Sequence, residues 1–153
     1  MTTPARPTPA AGHDETVDVL VVGGGGAGLT ASMLLAGLDV DHLLVSAFPS
    51  TSDLPKAHVL NQRTMEILQD AGVADTIAAH STPPSGLRHS AFYAGIAGPG
   101  EDFGRCLAKV ESWGAGGDDE QWRSASAWHQ LNLPQIRLEP LMKHRAEELS
   151  PGR

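Results

Sequence analysis

An α/β fold built on a parallel strand–helix–strand unit is predicted by three observations. Val17 to Val22 is apolar and mostly β-branched, broken only by Asp18, as a strand buried in a parallel sheet requires. Gly23, Gly25 and Gly28 follow it at G-x-G-x-x-G spacing. Gly28 then opens LTASMLLAGL, a run of good helix formers, and Val40 to Val45 (VDHLLV) supplies a second apolar strand.

The glycine order carries a chemical reading. Gly23 turns the chain sharply after the first strand. Gly25 lets the backbone approach a pyrophosphate more closely than a Cβ would permit, and Gly28 packs the helix tightly on the strand. Gly26 and Ala27 begin the helix, where unpaired N–H groups and the helix dipole favour an anion. The unit is Rossmann-like, with a right-handed crossover, and the alternative is a glycine-rich turn without a ligand. Many dinucleotide sites place an acid at the end of the second strand to bond a ribose hydroxyl. Here that position is Ser46, which bonds only as a neutral partner. Asp39 and Asp41 stand at the strand's other end, as turn and solvent residues. Ser46 therefore counts against NAD more than against FAD.

The predicted elements follow in order. The first strand spans 17–22, the first helix 26–37 with Gly37 as its stop, and the second strand 40–45. Ala47 to Pro55 is a loop. Asn61 caps a helix over 62–71 that Gly72 ends, with Met65, Leu68 and Ile67 facing inward. Ala74 to His80 is a further helical turn, and STPPS at 81–85 breaks the chain. The stretches 87–96 and 104–113 read as extended, giving an antiparallel hairpin-like excursion. Gly114 to Asp119 is an exposed loop, and Asp118, Asp119 and Glu120 an acidic solvated run. A last helix occupies 135–149. Its Pro140 either kinks the helix or, the preferred reading, places the regular helix start nearer Glu139 with Pro140 in its first turn.

Composition narrows the class. The chain has 153 residues, enough for one core, and a net charge of −7, which argues against nucleic acid or an anionic membrane as partner. No apolar run reaches the roughly 18 residues of a membrane helix, and the N-terminus lacks the apolar stretch of a secretory signal. The single cysteine, Cys106, excludes an internal disulfide framework and fits a reducing compartment, the cytoplasm; it reads as a packing or surface residue. The seven histidines show no metal-ligand spacing. His58 has two readings, a contact to FAD and the favoured one of a partly buried structural residue, and His129, beside Trp128, could line a pocket but is favoured as a packing residue.

Three separated blocks go further: VVGGGGAGL at 21–29, LPKAHVLNQRTMEIL at 54–68 and LPQIRLEPLM at 133–142. Together they resemble the FAD-dependent aromatic hydroxylases of the para-hydroxybenzoate hydroxylase superfamily, most closely the phenol and dichlorophenol monooxygenases. GEDFGR at 100–105 and Trp113-Gly114 share the likeness, which runs from Thr16 to Leu149. The resemblance implies that the glycine block binds the ADP half of FAD. It implies that Lys56 stands where the family has an arginine near the FAD phosphates, keeping the charge without the bidentate fork. It implies that Gln135 meets FAD. Arg63 has two readings, a supporting role or a solvated helix arginine. The implied activity is hydroxylation of a small phenolic substrate with NAD(P)H and O₂. Family members are several times longer and carry later Asp-Gly and Gly-Asp segments. The expectation is therefore a disordered tail at 1–15, the N-terminal part of an incomplete FAD-binding domain at 16–150, and a short tail at 151–153. The alternatives are an inactive truncated nucleotide-binding module and an NAD(P)-binding reductase fragment. No catalytic residue is assigned.

Overall fold

The computed structural model describes residues 15–112 and 120–153. Residues 1–14 of the tail predicted at 1–15, the loop Gly114 to Asp119 and the Trp113-Gly114 pair lie outside the described residues.

The parallel unit forms as predicted. Strand β1 (Val19–Val22) pairs in parallel with β2 (His42–Val45), in register from Val19 opposite His42 to Val22 opposite Val45, and α1 (Gly26–Gly37) joins them. Both strands start two residues later than their apolar runs. The Asp41 carbonyl accepts from both Asp18 N–H (3.1 Å) and Val19 N–H (3.2 Å), so the chain enters the pair before the ladder begins. The apolar run of β1 predicted burial on both faces, and the structure covers only one. Leu20 and Val22 are 57% and 78% exposed, while Val19 and Val21, on the other face with α1, are half-buried.

The end of α1 differs from the expectation at Gly37. The left-handed residue is Asp39 (φ 55°). Asp39 N–H donates to Ala36 O (3.1 Å) and Val40 N–H to Leu35 O (3.0 Å), the paired bonds of a Schellman motif with an aspartate where glycine is usual. Just beyond, the buried ring of His42 lies between Ser32 Oγ (2.8 Å) and the Val40 carbonyl (2.9 Å). Its Nδ1–H donates to the carbonyl, and Nε2 shares a hydrogen bond with the hydroxyl.

A two-residue strand β3 (Val59–Leu60) leads into α2 (Gln62–Asp70). Asn61 Oδ1 accepts from Thr64 N–H at 2.8 Å, the predicted cap. Gly72 (φ +73°) ends α2 with the same paired bonds, to Gln69 O and Leu68 O. Helix α3 (Ala74–His80) and a 3-10 turn (Pro84–Leu87) follow. The predicted hairpin is present: β4 (His89–Tyr93) pairs antiparallel with β5 (Cys106–Glu111), and every residue of both strands is exposed. Its glycine-rich connection wraps the Phe103 ring so closely that a Cβ at Gly98 would stand 2.5 Å from it.

Strand β3 escaped the sequence reading, and so did two later elements. Glu120, assigned to a solvated acidic run, begins a short helix α4 (Glu120–Ala125), and β6 (Leu131–Asn132) pairs antiparallel with β3. The last helix, α5, is continuous from Gln135 to Leu149 with Pro140 inside it, which corrects the expected start near Glu139. Its first turn is built independently of the proline. The Pro134 carbonyl accepts from Arg137 N–H (2.8 Å) and Leu138 N–H (3.0 Å), and Gln135 N–H is tied to the Ala57 carbonyl (2.8 Å). Pro140 then removes one helical bond from a turn already held. Helix α5 packs along α1, and Leu29, Met33, Met65, Leu68, Ile77 and Met142 form the centre of the buried core.

Candidate functional site

The site begins where β1 ends. Gly23 N–H donates to the Val45 carbonyl (2.8 Å), the last rung of the parallel pair, and Gly23 then takes φ +116°, a conformation that L side chains rarely adopt. The chain folds back so far that a Cβ on Gly28 would lie 1.9 Å from the Gly23 carbonyl oxygen. Tight packing of the helix on the strand end is thus imposed by backbone atoms. Gly24 is under a milder constraint that the motif spacing does not reveal, since its Cβ would stand 3.2 Å from Ser46 Cβ, which would have to give by a few tenths of an ångström. Gly25 and Gly26 differ. A Cβ at Gly25 would make ordinary contact with Glu139 Oε1 (3.5 Å), and one at Gly26 would meet open space. The protein's own backbone therefore requires glycine at 23 and 28 and does not require it at 25.

Gly25 is the N-cap of α1, and its carbonyl accepts from Leu29 N–H (2.9 Å). Helical geometry leaves the N–H groups of Gly26, Ala27 and Gly28 without an intrahelical acceptor. Glu139, a residue the sequence reading passed over, takes the first: its Oε1 accepts from Gly26 N–H at 3.2 Å. The carboxylate is 1% exposed. Oε1 also accepts from Gln135 Nε2 (2.5 Å), and Oε2 accepts from Ser52 N–H (3.0 Å). The amides of Ala27 and Gly28 make no hydrogen bond among the described residues.

Two clefts flank this helix end. One, of about 240 Å³, is lined by Gly24, Ser46, Phe48, Ser50, Thr51 and Lys143, among others. The other, of about 260 Å³, is lined by Gly26, Ala27, Ala57, His58, Leu133 and Gln135, among others. Ser46 thus sits where the second strand delivers it, at the mouth of the first cleft, with its hydroxyl accepting from Phe48 N–H (3.3 Å). Gln135 reaches the second cleft's wall with its amide already donating to Glu139. Lys56 is exposed and lines neither cleft, but it directly precedes the wall residues Ala57 and His58. His58 is exposed on that wall, which corrects its reading as partly buried: its carbonyl is engaged by Leu133 N–H (2.8 Å) while its ring is left outside.

Arg63 lies apart, exposed and paired with Glu66 (2.9 Å) one turn along α2, as a solvated helix arginine would be. Glu66 is held below its ordinary value of 4.5 by the Ser126 hydroxyl, which donates to it at 2.7 Å, and then by Arg63. Cys106 is exposed on the hairpin. No helix among the described residues is long and apolar enough to cross a membrane. Among the same residues, no group of three or more His, Cys, Asp or Glu is placed to hold a metal ion.

Comparison with known proteins agrees with this geometry. The chain is 34% identical over 139 residues to phenol 2-monooxygenase of Pseudomonas sp. (strain EST1001), covering 90% of this chain and 22% of that protein. It is 36% identical over 130 residues to 2,4-dichlorophenol 6-monooxygenase of Delftia acidovorans, covering 84% and 21%. The crystal structure of the flavin-dependent monooxygenase PieE in complex with FAD and substrate superposes with a TM-score of 0.77 at 42% identity, over 88% of this chain and 22% of that one. The chain spans about a fifth of the length of these relatives. Residues 16–151 match the model of the FAD binding domain family, and the chain belongs to that family.

Proposed function

We propose that this chain is the part of a flavin-dependent monooxygenase that grips the ADP half of FAD, in a Rossmann-like unit, and that the whole protein hydroxylates a phenolic ring with NAD(P)H and O₂. The observation that carries the reading is the end of α1. Backbone contact excludes a side chain at Gly28, two helix amides have no acceptor among the described residues, and a cleft opens on each side. A dinucleotide has that form, with a pyrophosphate between two larger groups. The residues fit FAD on this ground, and their assignments follow from position.

Gly23 and Gly28 shape the turn. Gly25 leaves space above the helix end, Gly26 opens the helix with its amide held by Glu139, and the amides of Ala27 and Gly28 face the phosphates. Ser46 bonds a ribose hydroxyl in the first cleft. Lys56 supplies positive charge at the rim of the second, where Gln135 meets the flavin side. Bound flavin supplies the redox chemistry, and the described residues bind and orient it. The acceptor is a small phenol, by likeness to relatives named as phenol and dichlorophenol monooxygenases. We place the protein in the cytoplasm, because the exposed thiol of Cys106 suits a reducing compartment.

Titration of the purified chain with FAD, followed by flavin fluorescence, tests the grip. Saturable binding of one FAD, displaced by ADP, is expected. A chain that takes up no FAD defeats the reading. NAD(P)H oxidation in the presence of phenol is expected to be absent from this chain alone.

A further inference from the structure

We infer that Glu139 is the positioning residue of the dinucleotide grip: from inside the fold it fastens the glycine loop to the segment that walls the first cleft. The inference deepens the reading above and rests on it.

A carboxylate buried to 1% exposure is costly unless donors surround it. Glu139 has three, each from a different part of the chain: Gly26 N–H in the glycine loop, Ser52 N–H in the connection after β2, and Gln135 Nε2 at the start of α5. None is cationic. The positive end of the α1 dipole adds to them. Without Glu139, nothing described bonds the Ser52 amide, and Ser52 immediately follows Phe48, Ser50 and Thr51, which line the first cleft. The same carboxylate occupies Gly26 N–H, which leaves the amides of Ala27 and Gly28 for a phosphate. Its charge is therefore spent on geometry: it sets which amides face outward and where the cleft wall stands.

Glu139→Gln separates this role from simple packing. Glutamine keeps the volume and one accepting oxygen, but its NH₂ must oppose a backbone donor: Ser52 N–H while the oxygen stays on Gly26 and Gln135, or Gly26 N–H if the amide turns. Three measurements on the purified chain are required. The Kd values for FAD and for ADP are expected to rise together about tenfold in Glu139→Gln. Amide exchange at Ser52, measured without ligand, is expected to accelerate at least tenfold. Met142→Ala, a core truncation on the same helix, is expected to lower Tm while leaving both Kd values within twofold. Unchanged Kd values in Glu139→Gln, or the same Kd rise in Met142→Ala, would overturn the positioning role. If the wild-type chain binds neither FAD nor ADP, the functional reading fails by itself. Ser52 exchange then decides the anchor, and an unchanged rate rejects it.

Discussion

Gly28→Ala is the sharpest perturbation the structure offers. The added methyl carbon would stand 1.9 Å from the Gly23 carbonyl oxygen, more than an ångström inside the 3.0 Å limit below which real Cβ contacts are not seen, and 3.1 Å from the carbonyl carbon. Neither atom belongs to a flexible side chain. Relief requires α1 to lift from the end of β1, and Leu29 and Met33, 3% and 1% exposed, move with it. Overpacking of this kind costs about 1–3 kcal/mol where side chains can adjust, and a backbone clash belongs at or above the upper end. Alanine's better helix propensity returns only ~1 kcal/mol at most. A net loss near 2–3 kcal/mol corresponds to a Tm decrease of roughly 5–10 °C at this chain length. Urea and thermal denaturation read the loss, and FAD titration reads the displaced helix end. Gly26→Ala is the control, because a Cβ there meets open space, and its stability is expected to match wild type or slightly exceed it. A Gly28→Ala chain that melts with the wild type would refute the close packing of helix on strand.

Other outcomes follow from single residues. Asp39→Gly is expected to stabilise the chain by about 0.5–1 kcal/mol in urea melts, since it relieves a left-handed non-glycine residue and removes a negative charge from the C-terminal end of α1. A destabilised variant would contradict that geometry. Asn61→Ala is expected to cost about 1 kcal/mol by the same assay, through loss of the bond to Thr64 N–H. Glu66 is lowered in the folded chain, so its contribution to stability is present above the ordinary value of 4.5 and is lost as pH falls through the folded value. Ser126→Ala removes the largest cause, and an NMR titration is expected to show Glu66 moving up toward 4.5. No movement would show that the Ser126 contact does not hold in solution.

What was legible in the sequence was local. The strand, glycine turn and helix from Val19 to Gly37 follow from a hydrophobic run, a spacing of glycines and a propensity, all within one short window. The Asn61 cap and the Gly72 stop are local in the same way, and the hairpin of β4 and β5 announced itself by two extended stretches around a glycine-rich link. What stayed hidden depends on distant partners. Strands β3 and β6 are two residues each and show no alternation; they exist because Leu60 lies opposite Leu131. Asp39 carries no glycine signal, and only the backbone shows its left-handed turn. Glu139 resembled any helical glutamate. Its burial arises because α5 packs on α1 and brings it to Gly26, 113 positions earlier. The available hints were a glutamine four residues before it and a charged residue among the apolar positions of its helix. Of the site residues expected from sequence, Gly23, Gly25, Gly26, Ala27 and Gly28 converge on one helix end. Ser46 and Gln135 stand on opposite sides of it, and Lys56 is at the margin.

The central claim is that the phosphates of a dinucleotide rest on the free amides at the start of α1. Two-dimensional amide NMR of the chain during titration with ADP tests it most directly. The account predicts that the Ala27 and Gly28 resonances shift saturably and most strongly, with smaller shifts at Ser46, while Gly26, held by Glu139, moves little. Saturable binding that leaves Ala27 and Gly28 unshifted would contradict it.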